Sequence, residues 1–344
     1  MMRAPDFWWR AGSGGALAPF AAVYEVVANA RLRAVGAGVG VPVICLGNLT
    51  VGGGGKTPAA LALGHLLLNA RERVFFLSRG YGGRLRGPLR VAASSHTAAE
   101  VGDEPLILAR LAPTIVARDR LAGAQLARRE GASVIVMDDG FQNPALAKDL
   151  AMLLLDGRRG IGTGGVIPAG PLRAGLDAQI SKAQALIVVG SEPPAGSVMA
   201  LAHGRGLAIF HARLVPDRAT LAALGRRAVL AFAGIADPDK FFATLAEAGV
   251  NVAERTGFAD HHPYTGKDAA ALIARAEADN LVLLTTEKDL ARLRGDPLLA
   301  ALAARATALP VELAIDEADA FRALILGALN RRSGGASSAK SGTA

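Results

Sequence analysis

The stretch Gly47-Asn-Leu-Thr-Val-Gly-Gly-Gly-Gly-Lys-Thr-Pro58 decides how the chain is read, because it lies one residue away from a phosphate-binding loop. The pattern G-x-x-x-x-G-K-[ST] asks for glycine where this chain has Thr50. The flanks favour a cradle. Upstream, Val41-Pro-Val-Ile-Cys-Leu46 is an apolar, β-branched run that predicts a buried strand. Downstream, Pro58-Ala-Ala-Leu-Ala-Leu-Gly-His-Leu-Leu-Leu68 carries leucines at helical spacing, and the proline suits a first turn. Gly52, Gly53, Gly54 and Gly55, following Val51, let backbone N–H groups turn toward one anion at the positive end of the helix. Lys56 then reaches the β- and γ-phosphates of a nucleotide, and Thr57 offers its hydroxyl to Mg2+. Thr50 only has to avoid a backbone angle reserved for glycine. A flexible turn is the plain alternative, but glycines alone rarely bring Lys-Thr and a helix with them.

Of 344 residues, 51% are hydrophobic, enough for two domains that each bury a core. The single cysteine, Cys45, leaves no disulfide framework and fits a reducing compartment. A net charge of +8 points to acidic partners such as nucleotides, nucleic acid or anionic lipid. Only 5% of residues are aromatic and none form a stacking platform with basic ones, which argues against nucleic acid.

Strand-like and helical runs alternate. Arg73–Ser78, Thr114–Ala117, Ser133–Met137, Met152–Leu155 and Ala185–Val189 are apolar on both faces, which predicts a mostly parallel sheet flanked by helices. A second set, Ala228–Phe232, Leu281–Leu284 and Val311–Ile315, predicts a smaller α/β domain, with Leu214-Val-Pro-Asp217 crossing between the two. The expected organisation is a nucleotide-binding catalytic domain over 37–215, a smaller domain closing the cleft over 216–330, and a disordered tail over 331–344.

Residues 1–36 add an N-terminal helix to the first domain. Ala28-Asn-Ala30 resembles a signal-peptide cleavage site, but Asp6 falls in the would-be basic region and Glu25 in the apolar part. No run of about 20 residues is free of charge and proline, so a spanning helix is not expected. An interfacial helix fits better. Leu17, Phe20, Tyr24 and Val27 make one apolar stripe, with Trp8 and Trp9 at one end and Arg31 and Arg33 at the other. A helix packed on its own domain is the alternative.

Val134-Ile-Val-Met-Asp138-Asp139 is an apolar strand ending in two carboxylates. Beside a phosphate loop, such acids hold the Mg2+ bound to the β- and γ-phosphates; without one, they are often only a turn signal.

With these residues in place the chain resembles the tetraacyldisaccharide 4'-kinases, the lipid A 4'-kinases of Gram-negative bacteria. The likeness is carried by GNLTVGGGGKTP at 47–58, SRGYGG at 78–83, VGDEP at 101–105, DDGFQ at 138–142, GPLR at 170–173, FADHH at 258–262 and TTEKD at 285–289. In that family threonine at position 50 is ordinary. The resemblance implies transfer of the γ-phosphoryl of ATP to the 4'-hydroxyl of tetraacyldisaccharide 1-phosphate, giving lipid IVA. It also implies a two-lobed α/β protein working at the cytoplasmic face of the inner membrane, with a glycolipid partner, ATP and Mg2+, and no protein partner. Asp103 matches the acid proposed to take or orient the proton of the attacking hydroxyl, and His261 its pairing partner. Glu104, Asp138 and Asp139 match the acids around Mg2+.

Other motifs stay open. Arg79 sits where a strand end could present it to a phosphate, or in a plain glycine-rich turn. Arg173 suits the 1-phosphate, since arginine grips phosphate with a planar fork; where relatives usually carry Glu next, this chain has Ala174. Thr285-Thr-Glu-Lys-Asp289 reads as a capped helix start with no chemistry assigned. A regulatory GTPase would need an N-K-x-D element, which is absent. A nucleic-acid motor would need an arginine finger and strand-binding aromatics, and neither is identifiable.

Overall fold

The computed structural model of the protein describes residues 5–10, 14–52, 54–190 and 193–338. Its strands in chain order are β1 Val43–Asn48, β2 Val74–Ser78, β3 Leu89–Arg90, β4 Thr114–Val116, β5 Val134–Asp138, β6 Leu150–Asp156 and β7 Ala185–Val189. These are followed by β8 Ala208–Pro216, β9 Val229–Ala233, β10 Val252–Gly257, β11 Val282–Thr286, β12 Thr307–Leu309 and β13 Val311–Ile315. Among the described residues nine strands form one sheet in the order β13-β8-β7-β6-β1-β5-β2-β4-β3, and four form a second in the order β10-β9-β11-β12.

The large sheet is parallel except at its edges, where β3 pairs antiparallel with β4 and β13 with β8. Its central strands are apolar on both faces because helices cover both, with Leu32, Leu49 and Met137 in one core and Ile44, Leu63 and Phe76 in the other. From β1 the winding proceeds to β5 and β2 on one side and to β6 and β7 on the other. The loop after β1 therefore sits at the switch point, where open parallel sheets bind ligands.

Three expectations need correcting. Val311–Ile315 does not join the smaller sheet but returns to the larger one, pairing with β8, and the helix starting at Ala318 packs Phe321 and Ile325 on that core. The segment Leu214-Val-Pro-Asp217, read as a crossing, is mostly strand, since β8 runs through Pro216. That last helix extends to Ser338, into the stretch expected to be disordered from Arg331; residues 339–344 lie outside the described ones.

The smaller sheet is parallel throughout and carries apolar cores on both faces. Its helix Glu287–Leu293 lies on the seam between lobes, where Ala291 is buried with Val101, Leu106 and Ile107 of the larger lobe. Ion pairs tie the same seam further along. Lys240 meets Asp156 at 2.9 Å, and Asp237 receives Arg158 at 2.5 Å and Arg159 at 3.0 Å.

The N-terminal helix Ala18–Arg33 buries Ala21 and Leu32 and turns the other face outward. Phe20, Val23, Tyr24 and Val27, at helical spacing on that outer face, are exposed, Phe20 by 67% and Val23 by 69%. Leu17 is half-buried. Trp8 departs from expectation: it is buried, its indole N–H donates to the Pro168 carbonyl at 2.9 Å, and it anchors the segment to the protein body. Trp9 is half-buried beneath the Arg159 guanidinium, 5.2 Å from its ring centre.

Candidate active site

A cleft of about 830 Å³ opens between the lobes and collects most of the residues singled out from the sequence. Val51, Gly52, Gly55, Lys56, Thr57, Arg79, Glu104, Asp139 and Arg173 line it from the larger lobe, and Asp260, His261 and Lys288 from the smaller.

The glycine loop owes its shape to two backbone angles and one neighbour. Gly52 has φ +117° and Gly55 φ +85°, both costly for a residue with a β-carbon. Gly55 caps the helix Lys56–Asn69. Asn48 Nδ2 donates to the Gly52 carbonyl at 2.7 Å, a support that sequence reasoning did not pick out. Thr50 needs no glycine angle because its backbone is bridged to Leu172, while Val51 N–H donates to the Pro171 carbonyl at 2.8 Å. Gly53 lies outside the described residues.

Two acids end β5. Asp138 is fully buried, and neither of its oxygens has a partner among the described residues; the Thr57 hydroxyl is buried and unpartnered among them as well. Burial and the nearby Glu104 push the Asp138 carboxyl up to about 7. Asp139 behaves oppositely. Burial raises it, but Lys56, 3.7 Å away, and Arg173 outweigh that and hold it down at about 2. Arg173 forks onto Asp139 with Nη1 at 2.7 Å and Nη2 at 3.3 Å, and its Nε donates to the Thr50 carbonyl. Its fork, expected to meet a 1-phosphate, is thus turned onto an acid of its own lobe. Arg79 is exposed on the cleft wall.

Across the cleft, His261 Nδ1 lies 3.4 Å from Asp103 Oδ2, the pairing expected from the motifs. The other oxygen of Asp103 accepts the Glu104 N–H at 2.8 Å. Burial pushes Asp103 up, but the bond with His261 and the charges of Arg292 and Lys288 hold it well below the usual carboxylate range. The same bond raises His261 above its ordinary value, against burial. Glu104, expected near Mg2+, accepts a hydrogen bond from Lys288 Nζ at 2.6 Å. Lys288 and Arg292 were not anticipated: Thr286 does cap the helix, as the motif reads, but that helix also brings Lys288 to the cleft and Arg292 to Asp103.

These opposite shifts carry a pH dependence. A histidine raised on folding adds stability that is full below its unfolded value of about 6.5 and lost as pH rises through the folded value. A depressed aspartate adds stability that is full above about 3.9 and lost as pH falls through its folded value. The gap in Tm between the protein and His261→Gln should therefore be widest between about pH 4 and 6.5 and close on the alkaline side. Thermal melts across pH check this, and a gap independent of pH would contradict it.

A switch-point glycine loop with its lysine, sharing one cleft with a histidine that pairs with a carboxylate of the other lobe, defines a kinase-type α/β enzyme. The family model described as Tetraacyldisaccharide-1-P 4'-kinase matches residues 14–330, and the chain belongs to the tetraacyldisaccharide 4'-kinase family. A tetraacyldisaccharide 4'-kinase of Rhodopseudomonas palustris (strain BisB18) is 55% identical over 327 residues, 94% of this chain and 95% of that one. The enzyme of Nitrobacter winogradskyi is 50% identical over 327 residues, covering 94% and 97%. Among solved structures, LpxK from Aquifex aeolicus in complex with ATP superposes with a TM-score of 0.71 at 29% identity, covering 92% of this chain and 99% of that one.

Proposed function

We propose that the protein transfers the γ-phosphoryl group of ATP to the 4'-hydroxyl of tetraacyldisaccharide 1-phosphate, forming lipid IVA in lipid A biosynthesis. The observation that carries this reading is that Lys56 and Thr57 share one cleft with His261, which reaches from the smaller lobe to pair with Asp103. Leu214, Ile235, Phe241 and Leu309 give that cleft an apolar end suited to an adenine ring.

The residues also fit Mg2+, because the buried Thr57 hydroxyl and both Asp138 oxygens are ligand oxygens left without partners among the described residues beside the glycine loop. Thr57 and Asp138 would hold the ion; when bound it offsets phosphate charge. Asp139, already shared by Lys56 and Arg173, supports the loop side of the site.

Asp103 accepts the proton of the 4'-hydroxyl as that oxygen bonds to the γ-phosphorus and the bond to ADP breaks. A carboxylate held so low is a weak base. Its task is to orient the hydroxyl and receive the proton late, as a loose transition state permits. His261 keeps the carboxylate turned to the acceptor, and Lys56 meets the charge that moves toward the leaving oxygen.

The acceptor is lipid-borne, so the cleft has to work at the headgroup layer. The exposed face of Phe20, Val23, Tyr24 and Val27 supports peripheral attachment at the cytoplasmic face of the inner membrane, and Arg31 links the helix end to the cleft. Among the described residues no helix is long and apolar enough to cross a membrane. Each arginine near anionic lipid adds about 1 kcal/mol.

Changing Phe20, Val23 and Tyr24 together to Ser should weaken binding to anionic vesicles at least about tenfold and raise KM for the vesicle-borne acceptor. KM for ATP and Tm should hold, because exposed substitutions cost at most about 0.5 kcal/mol each. Vesicle flotation and melts check this. Loss of the fold with binding retained would assign the face to the protein core.

A further inference from the structure

The helix Glu287–Leu293 does more than close the seam. Lys288 and Arg292 stand four residues apart and so share one helical face, which meets the consecutive acids Asp103 and Glu104. Lys288 takes Glu104. Arg292 takes Asp103, with Nε donating to Oδ2 at 2.8 Å and Nη2 at 2.6 Å from the same oxygen.

Arg292 also reaches the other half of the pair. Its Nη1 donates to the Gly234 carbonyl at 2.6 Å, and that carbonyl accepts the His261 backbone N–H at 3.0 Å. His261 has φ +53°, a left-handed conformation that a non-glycine residue keeps only when its surroundings impose it. The guanidinium is locked in turn by Asp289, which is fully buried. Asp289 Oδ1 accepts from Arg292 Nη1 at 2.9 Å, from the Tyr264 hydroxyl at 2.9 Å and from the Gly234 N–H at 3.0 Å. One side chain therefore touches the Asp103 carboxylate directly and the His261 backbone through a single carbonyl.

We propose that Arg292 is a positioning residue for phosphoryl transfer, fixing how Asp103 and His261 face each other and making that facing depend on docking of the lobes. The proposal rests on the roles given above to Asp103 and His261. An arginine that merely tied the lobes together would need only the contact with Asp103. The shared Gly234 carbonyl and the Asp289 lock instead set the orientation of both partners. Lysine cannot reproduce this, because an ammonium lacks the planar fork that reaches Asp103 and Gly234 at once.

The test is steady-state kinetics of Arg292→Gln and Arg292→Lys with ATP and the disaccharide 1-phosphate, beside Asp103→Ala and His261→Ala, with melts of each variant. Misplacing a catalytic group by about 1 Å costs on the order of 100-fold, so kcat should fall about 100-fold in Arg292→Gln. KM for ATP should stay within about twofold, Arg292→Lys should recover little, and adding Arg292→Gln to Asp103→Ala should cost less than about threefold more. Unchanged kcat with a lowered Tm, or a loss confined to KM, would reduce Arg292 to a structural tie and overturn the proposal. Should Arg292→Gln fail to fold, the charge-retaining Arg292→Lys carries the same test, and wild-type kcat in it overturns the proposal. If Asp103→Ala is itself fully active, the assignment of the pair fails and the proposal falls with it. An inactive Asp103→Ala beside unaffected Arg292 variants overturns the proposal alone.

Discussion

Replacing Asp103 with Ala should lower kcat by about 10³-fold, the scale on which a positioned proton acceptor contributes. Asp103 is buried, both its oxygens are occupied by groups that orient it, and the imidazole of His261 comes from the opposite lobe. His261→Ala should cost somewhat less, because Arg292 still holds the carboxylate. If the two residues act as one unit, the double variant should be no worse than Asp103→Ala by more than about threefold. Kinetics of the two single variants and the double variant decide this. Additive losses would separate the residues and leave His261 with a structural role.

Lys56→Ala should lower kcat/KM by about 10³-fold through loss of the positive partner for charge moving onto the leaving phosphate. The structure explains why the loss should be large. Lys56 is buried, its ammonium lies 3.7 Å from Asp139, and no other loop side chain offers a positive charge. Arg173 cannot substitute, since its fork is engaged by Asp139 and the Thr50 carbonyl. A loss below about tenfold, roughly 1.4 kcal/mol, would contradict this role.

What could be read ahead of the structure divides by distance along the chain. The glycine loop was legible because strand, loop, Lys-Thr and helix are contiguous, and the carboxylates ending β5 because an apolar run announces its own end. The edge strand β13 was misassigned because Val311–Ile315 says strand without saying which sheet, and its partner β8 lies about a hundred residues earlier, with Leu313 opposite Leu214. The strand β10 went unread because Glu254, Arg255 and Thr256 interrupt any apolar run, although its alternating burial is the pattern of a strand with one exposed face. Trp8 was read as an interfacial anchor because nothing local reveals an acceptor 160 residues away.

The same limit hid the cations of the smaller lobe. Lys288 and Arg292 look like solvated charges in the first and last turns of a short helix. Their partners Glu104 and Asp103 lie 184 and 189 residues upstream. The pairing of Asp103 with His261 escaped that limit only because the resemblance to a family joined two motifs that spacing could not.

The measurement that bears most directly on the proposed activity follows the label from γ-labelled ATP in the presence of tetraacyldisaccharide 1-phosphate dispersed in mixed micelles. The label should appear on the disaccharide at the 4' position, giving a product with two phosphates, and that transfer should fall by about 10³-fold in Lys56→Ala and in Asp103→Ala. Label released only as inorganic phosphate, at a rate indifferent to the acceptor, would contradict the account.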